Sequence, residues 1–350
     1  MISSTKKKSP ATPKQADPAT FPDSIPLDGV DSYLLDAEVR LAVRMAWATS
    51  RPLLVVGEAG CGKTQLAQAL GAAWQVPCIA QTIHARTDAQ DLFFHFDAVA
   101  RLSDAQVRGA AANAGARNAS SKSEKASALG CNPLNPAHYL RPGPLWWALN
   151  AESALALNAD RPQAFAVQPP ADLPPNWRDG ASVVLLDEVD KGSDELAESL
   201  LEVLDARCFT VPWTGQRVSQ SPSAKPFLLM TSNGSRPLPP PFLRRCIVLA
   251  MHLPEDPATL VPWLAQRARA HFTARQVKDA ALKRAAELIC EDRSTAKSQQ
   301  RYKPGVAEFL YLCEAVAQLA ANKTAEQQCE LIESLAPSVT RHKGEANRAH

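Results

Sequence analysis

The chain has 350 residues, of which 45% are hydrophobic and 21% charged, and its formal net charge at pH 7 is +2. This composition is that of a soluble globular protein, and the length is sufficient for two or three domains. The small net charge and the lack of a basic stripe argue against nucleic acid as a partner, and no apolar run approaches the 18 residues of a membrane-spanning helix.

Cysteine usage and the N-terminal residues indicate a cytoplasmic protein. The eight cysteines include no C-x-x-C pair and mostly fall in apolar runs, so we expect buried free thiols in a reducing cytoplasm. Cys61 differs because it lies in a glycine-rich loop, where oxidation or modification is an alternative. The first 22 residues lack the apolar core of a secretory signal, and residues 1–30 are expected to form a disordered tail. A basic docking arm is the other interpretation, because lysines occupy positions 6–8.

The first predicted elements are a helix and a buried strand. Asp31 and Ser32 are suited to cap a helix over about residues 33–49. The apolar run Pro52–Val56 then predicts a strand, and residues 65–74, with apolar side chains at helical spacing, predict a second helix.

Between this strand and the second helix lies the motif G-x-x-x-x-G-K-T, which is typical of a phosphate-binding loop. Its glycines allow successive N–H groups to point into one concavity, and the following helix adds its positive dipole end. Lys63 would reach the β and γ phosphates of a nucleotide, and the Thr64 hydroxyl would bind Mg²⁺. We therefore assign cofactor binding to Gly57, Glu58, Ala59, Gly60, Cys61, Gly62, Lys63, Thr64 and Gln65.

The middle of the chain alternates predicted order with two insertions. Residues 76–83 predict a strand, and order resumes near Tyr139. Residues 109–135 are rich in alanine, serine, asparagine and lysine, and residues 158–180 are polar and rich in proline. Both segments are expected to be flexible insertions.

A second candidate site element is the strand at residues 182–186, which ends in Asp187 and Glu188. Carboxylates at this position emerge at the edge where open α/β sheets bind ligands. Asp187 would act on the Mg²⁺ side, and Glu188 would orient and polarise an attacking water. Two acids after a strand are weak evidence alone, but the phosphate loop supplies the other half of the same reaction.

The remaining core elements follow closely. We expect a helix over about 194–207, a β-hairpin over 208–218, strands over 226–233 and 247–251, and a short helix that ends in Arg244 and Arg245. Asn233 is placed to hydrogen-bond a water or the γ phosphate, or else it is a turn residue that ends the strand.

After Pro254 the apolar pattern is helical only, with segments over about 258–272, 275–291, 304–322 and 325–335. We therefore expect an α/β core over 31–253, a small all-α lid over 254–340 and a C-terminal tail over 341–350.

These residues, in this order, resemble the MoxR family of AAA+ ATPases over about residues 32–320. The phosphate loop and the acid pair occur in many P-loop enzymes. More specific to the family are the runs Thr87–Leu92, Phe96–Val99, Pro142–Leu145, Thr231–Pro239 and Phe242–Cys246.

The resemblance implies a parallel sheet flanked by helices, a helical lid, and ATP with Mg²⁺ bound between neighbouring subunits of a ring, usually a hexamer. It implies that Lys63 and Thr64 are the Walker A residues, that Asp187 and Glu188 are the Walker B pair, and that Asn233 is sensor 1. Arg244 or Arg245 would be the arginine finger that reaches the γ phosphate of the next subunit.

Two positions depart from the family pattern or stay open. Ser235 stands where the family commonly has an acid, so a local ion pair to Arg236 is expected to be absent. The lid residue that touches the nucleotide, sensor 2, would be Arg301 or Lys303, before a helix that starts near Pro304.

The function implied by the resemblance is ATP hydrolysis coupled to the remodelling or maturation of a protein partner, often one with a von Willebrand factor A domain. One alternative is a nucleic-acid-threading motor or loader, against which the near-neutral charge argues. Another is a nucleotide-gated scaffold with incidental turnover, against which Glu188 and the Arg244–Arg245 pair argue.

Overall fold

The structure is a computed structural model that describes residues 24–26, 32–116, 134–159, 161, 165–174, 177–298 and 303–341. Its strands are β1 (Ser24–Pro26), β2 (Ser32–Leu34), β3 (Leu53–Gly57), β4 (Cys78–Thr82), β5 (Phe94–Phe96), β6 (Leu140–Pro142), β7 (Ala181–Asp187), β8 (Cys208–Val211), β9 (Gln216–Ser219), β10 (Lys225–Ser232) and β11 (Ile247–Met251). Its α-helices are α1 (Ala37–Thr49), α2 (Lys63–Trp74), α3 (Ala98–Ala116), α4 (Pro144–Leu149), α5 (Ala151–Ala156), α6 (Asp194–Ala206), α7 (Pro240–Arg245), α8 (Pro257–His271), α9 (Asp279–Ser298), α10 (Val306–Leu319) and α11 (Ala325–Ala336).

A five-stranded parallel sheet forms the centre of the α/β part, in the order β11-β3-β10-β7-β4. Helices cover both faces, which explains why the strands are continuous apolar runs. One face packs against α1 and α2, and the other packs against α4, α5 and α6. The predicted fold class, a parallel sheet flanked by helices and followed by a helical unit, is confirmed.

The sheet also determines where the candidate site residues lie. Because all five strands are parallel, the segments that follow β3, β7 and β10 leave the sheet at the same edge. The phosphate loop follows β3, Asp187 ends β7, and Asn233 follows β10. The strand order also places β3 between two strands that come later in the chain, which is the arrangement that opens a ligand crevice in α/β sheets.

The N-terminal boundary differs from the prediction. Helix α1 begins at Ala37 instead of residue 33, because Ser32–Leu34 pair as a strand with Ser24–Pro26. Asp36 has extended backbone (φ −68°, ψ 158°) and is the residue that precedes the helix, so the cap position differs from the predicted one. Strand β1 also lies inside the segment predicted as a disordered tail. The rest of that segment lies outside the described residues.

The two predicted insertions are partly ordered. Residues 109–116 belong to α3, which agrees with the high helix propensity of alanine, and residues 117–133 lie outside the described part of the chain. In the second segment, Val167 and Leu173 are buried in the core of the α/β part. The amide and carbonyl of Val167 are both hydrogen-bonded by the side chain of Asn158. These described residues of the second segment are therefore packed into the fold, and flexibility stays a prediction for the segment as a whole.

Two antiparallel strand pairs pack against the core of the α/β part. Strands β8 and β9 pair antiparallel, which confirms the hairpin predicted over 208–218. Strands β5 and β6 also pair antiparallel, and α3 lies between them in the sequence. This pairing was not predicted.

Helices α8–α11 form a separate apolar core, with the fully buried Leu264, Ile289, Phe309 and Ile332. Helix α9 continues to Ser298, seven residues beyond its predicted end. The phosphate-loop residue Cys61 packs into this core, so the loop and the lid share one apolar cluster. No helix in the described ranges is both long and apolar enough to cross a membrane.

Candidate active site

The loop between β3 and α2 has the backbone that a phosphate site needs. Gly62 precedes α2 with φ 95°, a left-handed conformation that favours glycine, and no side chain caps the first turn of the helix. At Gly57 a Cβ atom would lie 2.3 Å from the carbonyl oxygen of Met251 on the neighbouring strand. The loop therefore leads into the N-terminus of α2, where the positive end of the helix dipole favours an anion.

Lys63 is the most constrained side chain of the loop. It is 6% exposed, and its Nζ donates hydrogen bonds to the carbonyl oxygens of Gly57 and Glu58, both at 2.8 Å. A third hydrogen bond, at 2.7 Å, goes to Oδ1 of Asn233 at the end of β10. The structure thus brings together two residues that are 170 positions apart in the chain.

Asp187 and Thr64 provide oxygen atoms suited to Mg²⁺. The Thr64 hydroxyl lies 3.2 Å and 3.1 Å from the two carboxylate oxygens of Asp187, and the Thr231 hydroxyl donates to the same carboxylate. The described residues contain no group of three or more histidine, cysteine or acidic side chains that could enclose a metal. This donor set fits Mg²⁺, which keeps several waters and binds through few protein ligands together with substrate phosphates.

Glu188 has a strained backbone and two side-chain partners. Its φ of 60° and ψ of 47° lie in the left-handed region, which is uncommon for a residue with a Cβ atom and is frequent at functional sites. Its Oε1 accepts a hydrogen bond from Nδ2 of Asn233 at 2.9 Å, and its Oε2 pairs with Nζ of Lys191 at 2.5 Å. This hydrogen bond raises the pKa of the Lys191 ammonium. The single amide of Asn233 therefore connects Lys63 with Glu188.

Asp190 is a site residue that the sequence analysis missed. It is 2% exposed, and its two carboxylate oxygens accept hydrogen bonds from the backbone amides of Asn233 at 3.3 Å and Ser235 at 2.8 Å. These bonds fix the loop that carries Asn233 against the end of β7. The signal was present in the sequence as a carboxylate three positions after Asp187, but its role depends on the pairing of β7 with β10.

Arg236 has an acidic partner despite the serine at position 235. Its guanidinium pairs with Asp194 at the start of α6, at 3.0 Å, and also donates to the carbonyl of Gly192. Arg236 therefore forms its ion pair with Asp194 on α6, and not with an acid at position 235.

The lid contacts the phosphate loop directly. Glu58 pairs with Nη2 of Arg293 at 2.8 Å and with Nζ of Lys303 at 3.6 Å. Arg293 also donates from Nη1 to the carbonyl of Pro304 at 2.7 Å. A Cβ atom at Gly60 would lie 3.2 Å from the Cβ of Ala307, so the start of α10 lies against the loop. Arg301 lies outside the described residues, and Arg293 was missed because α9 was predicted to end before it.

Cys61 is buried within the contact between the loop and the lid, at 7% exposure. Burial raises the pKa of its thiol, against the opposing effect of the Lys63 ammonium. A protonated, buried thiol is a poor nucleophile. The alternative that Cys61 is readily oxidised is therefore unsupported by its surroundings.

Arg244 and Arg245 lie at the opposite edge of the sheet. They precede β11, whose first residue pairs with Leu53 at the start of β3, whereas the phosphate loop follows the end of β3. At about 3.3 Å per residue, this strand places the arginines about 13 Å or more from the loop of the same chain. Arg245 pairs with Asp205 at 3.0 Å. Arg244 is exposed, and its side chain makes no ion pair within the described residues.

A glycine-rich loop on a parallel sheet, with a lysine, an aspartate and a glutamate at the strand ends, defines a P-loop nucleoside triphosphatase. Residues 52–267 match the family model of the AAA domain, dynein-related subfamily, and the chain belongs to this family. An AAA+ domain of this kind implies nucleotide binding and ATPase activity in general terms. No curated protein matches the chain.

Several solved structures resemble the chain remotely. A point mutant of RuvB from Thermotoga maritima has 13% identity and a TM-score of 0.43, and the match covers 85% of this chain and 68% of that chain. Another RuvB structure from that organism, described as a Holliday junction branch migration motor, has 14% identity and a TM-score of 0.41, covering 84% and 66%. NtrX from Brucella abortus has 12% identity and a TM-score of 0.38, covering 84% and 52%. These similarities carry no argument about function.

Proposed function

We propose that the protein is a MoxR-like AAA+ ATPase that hydrolyses ATP between the subunits of a ring and uses the energy to remodel or mature a partner protein. The observation that carries the proposal is the separation of Arg244 and Arg245 from the phosphate loop. One chain holds the loop, the two acids and Asn233 at one edge of the sheet, and the arginines at the other. A neighbouring copy in a ring would bring its arginine to the site.

Arg244 is the better candidate for the finger. Its side chain is exposed and free of described ion pairs, whereas Arg245 is held by Asp205 at 3.0 Å. Three apolar side chains on α7, β11 and α1 are also exposed: Leu243 at 37%, Val248 of the edge strand β11 at 50%, and Met45 at 47%. Exposed apolar side chains around an edge strand are expected where another subunit packs.

The geometry of the site supports the following roles. Lys63 and the first amides of α2 would bind the β and γ phosphates, and Thr64 and Asp187 would hold Mg²⁺ with its water. When bound, Mg²⁺ neutralises charge that develops on the phosphate oxygens. Glu188 would orient and deprotonate the attacking water after releasing Lys191, and Asn233 would position that water or the γ phosphate. Lys303, held 3.6 Å from Glu58, is our candidate for sensor 2.

Active-site sharing is tested by mixing two inactive variants. Glu188→Gln removes the base, and Arg244→Ala removes the finger, so each protein alone should be nearly inactive. In randomly mixed rings, about a quarter of the interfaces would combine an intact site with an intact finger, because neighbours meet head to tail. We expect partial recovery of ATP turnover on mixing. The matched control uses Arg245→Ala in place of Arg244→Ala. If mixed rings of Glu188→Gln and Arg244→Ala assemble but recover no ATP turnover, the sharing of sites is refuted.

The ring size, the partner and the location are further parts of the proposal. A hexamer and a von Willebrand factor A domain partner come from the resemblance to the MoxR family, and a cytoplasmic location agrees with the free thiols of the seven described cysteines. Affinity capture with the Glu188→Gln protein in ATP tests the partner. Recovery of a von Willebrand factor A domain protein would support remodelling, whereas recovery of nucleic acid alone would overturn it.

A further inference from the structure

A cavity of about 740 Å³ lies at the edge of the central sheet where the strands begin, away from the phosphate loop. Its apolar wall is formed by helices from both faces of the sheet and by the start of β10. Among the residues that line it are Trp47, Leu145, Leu149, Leu201 and Phe227. The volume lies within the range of pockets that bind small molecules or a few peptide side chains.

The lining of this cavity, and hence its rim, carries more cations than carboxylates. The described lining contains Arg51, Arg207, Lys225 and Arg245, all exposed, and one carboxylate, Asp205. The Asp205 carboxylate forms an ion pair with Arg245 at 3.0 Å. Arg207 and Lys225 make no ion pair within the described part of the chain. Positive charge around a concave, low-dielectric surface concentrates the field and attracts anions.

The combination of wall and rim selects the kind of ligand. A small inorganic anion would leave the apolar wall exposed, and an uncharged apolar ligand would not use the cations. A nucleic acid backbone needs a positive groove that follows successive phosphates, whereas these cations surround one cavity. A short acidic peptide with one bulky apolar side chain uses both features, because that side chain fills the cavity while its flanking carboxylates meet the rim.

We propose that this cavity binds a short acidic segment of a partner protein, which inserts a bulky aliphatic or aromatic side chain between α1, α4 and α6. The site adjoins the proposed finger: Arg51 donates to the carbonyl oxygen of Arg244 at 3.4 Å, and Arg245 lines the cavity. A carboxylate of the bound peptide would compete with Asp205 for Arg245. The binding itself stands on the cavity, whereas any effect on ATP turnover rests on the proposed function.

The test uses a phage-displayed library of random dodecapeptides. The library is selected on the wild-type protein after depletion on the double variant Arg207→Glu/Lys225→Glu, whose substitutions are exposed and should leave the unfolding temperature unchanged. We expect enriched peptides that are acidic and contain one bulky apolar residue. Synthetic copies should bind the double variant at least tenfold more weakly in fluorescence anisotropy. Arg275→Glu/Lys323→Glu, an exposed pair in the helical part of the chain, is the matched control and should bind normally.

Three outcomes would overturn the site: no enrichment over the depleted library, enriched peptides without acidic residues, or equal binding to the Arg207→Glu/Lys225→Glu variant. A further result would also overturn the proposal: a single-stranded DNA oligonucleotide binds the wild type but not this variant, and no peptide binds. The cavity would then be a nucleic-acid site. Peptide binding is measured without ATP, so it is independent of hydrolysis. If a peptide binds but ATP turnover stays unchanged, the link between the cavity and Arg244 and Arg245 is refuted. If the protein binds peptide but does not hydrolyse ATP, only the proposed function is refuted.

Discussion

Replacing Arg293 with methionine should detach the lid from the phosphate loop. The Arg293 side chain is 12% exposed and lies 2.8 Å from the Glu58 carboxylate, which is 37% exposed. At an effective dielectric constant of about 20, two unit charges at this distance attract by about 6 kcal/mol. Desolvation and solvent screening cancel most of this energy, which leaves a net coupling of about 1–2 kcal/mol. Methionine keeps most of the apolar volume of the side chain and removes the charge.

We expect Arg293→Met to weaken ATP binding about five- to thirtyfold, which corresponds to the loss of about 1–2 kcal/mol. The assay is equilibrium binding of a fluorescent ATP analogue in a Glu188→Gln background, where hydrolysis does not interfere. A double-mutant cycle with Glu58→Gln measures the coupling itself. Lys297→Met is the matched control, because Lys297 lies on the same helix and pairs with Glu255 at 3.0 Å, but both side chains are more than 60% exposed. This control should change ATP binding by less than twofold.

Two results would refute the reasoning. Strictly additive effects of Arg293→Met and Glu58→Gln would show that the pair does not couple the lid to the loop. Tighter ATP binding by Glu58→Gln would show that Glu58 competes with the nucleotide for the cations of the lid.

Three further predictions concern the site and the cores. Glu188→Gln should lower ATP turnover about 10²- to 10⁴-fold while the dissociation constant of ATP changes little, and near-normal turnover in a steady-state assay would refute its role as base. Asp190→Asn leaves one of the two backbone amides that the buried Asp190 carboxylate binds without an acceptor. It should lower the free energy of unfolding, measured with urea, by about 1–3 kcal/mol, and an unchanged value would show that these hydrogen bonds are weak. Burial raises the pKa of Cys313 from 9.0 to about 12, so the folded state keeps a proton that the unfolded state releases above pH 9. The free energy of unfolding of the wild type should therefore fall toward that of Cys313→Ala by about 1.4 kcal/mol per pH unit between pH 9 and 11. Urea unfolding of both proteins measures this difference, and a difference that stays constant over this pH range would contradict the prediction.

The sequence was sufficient to predict the central sheet and the residues at its strand ends, because their signals are local. The phosphate loop, the acids after β7 and the apolar strands each depend on a short run of residues, and parallel strands bring their ends to one edge. The same holds for the four lid helices, whose apolar faces recur at helical spacing. The start of α1 was misplaced because pairing of Ser32–Leu34 with Ser24–Pro26 overrides the local capping signal.

The contacts that complete the site could not be predicted from local patterns. Arg293 pairs with Glu58, which lies 235 positions earlier in the chain. Asp190 accepts hydrogen bonds from backbone amides 43 and 45 positions later in the chain. Nothing in the residues around Arg293 distinguishes it from other cations on a helix surface. Such roles depend on how the lid lies on the loop and how neighbouring strands are ordered, which the periodicity of a segment does not encode.

The hydrogen bonds of Lys63 connect its ammonium to the candidate base Glu188 through Asn233. A lysine ammonium has three donors, and here all three are used by the carbonyl oxygens of Gly57 and Glu58 and by Oδ1 of Asn233. A phosphate oxygen that binds Lys63 must displace at least one of them. If it displaces Asn233, the same amide loses its orientation toward Oε1 of Glu188. Under the proposed function, the amide of Asn233 would then link occupancy of the phosphate site to the freedom of Glu188, so that ATP binding and water activation would be coupled within one chain.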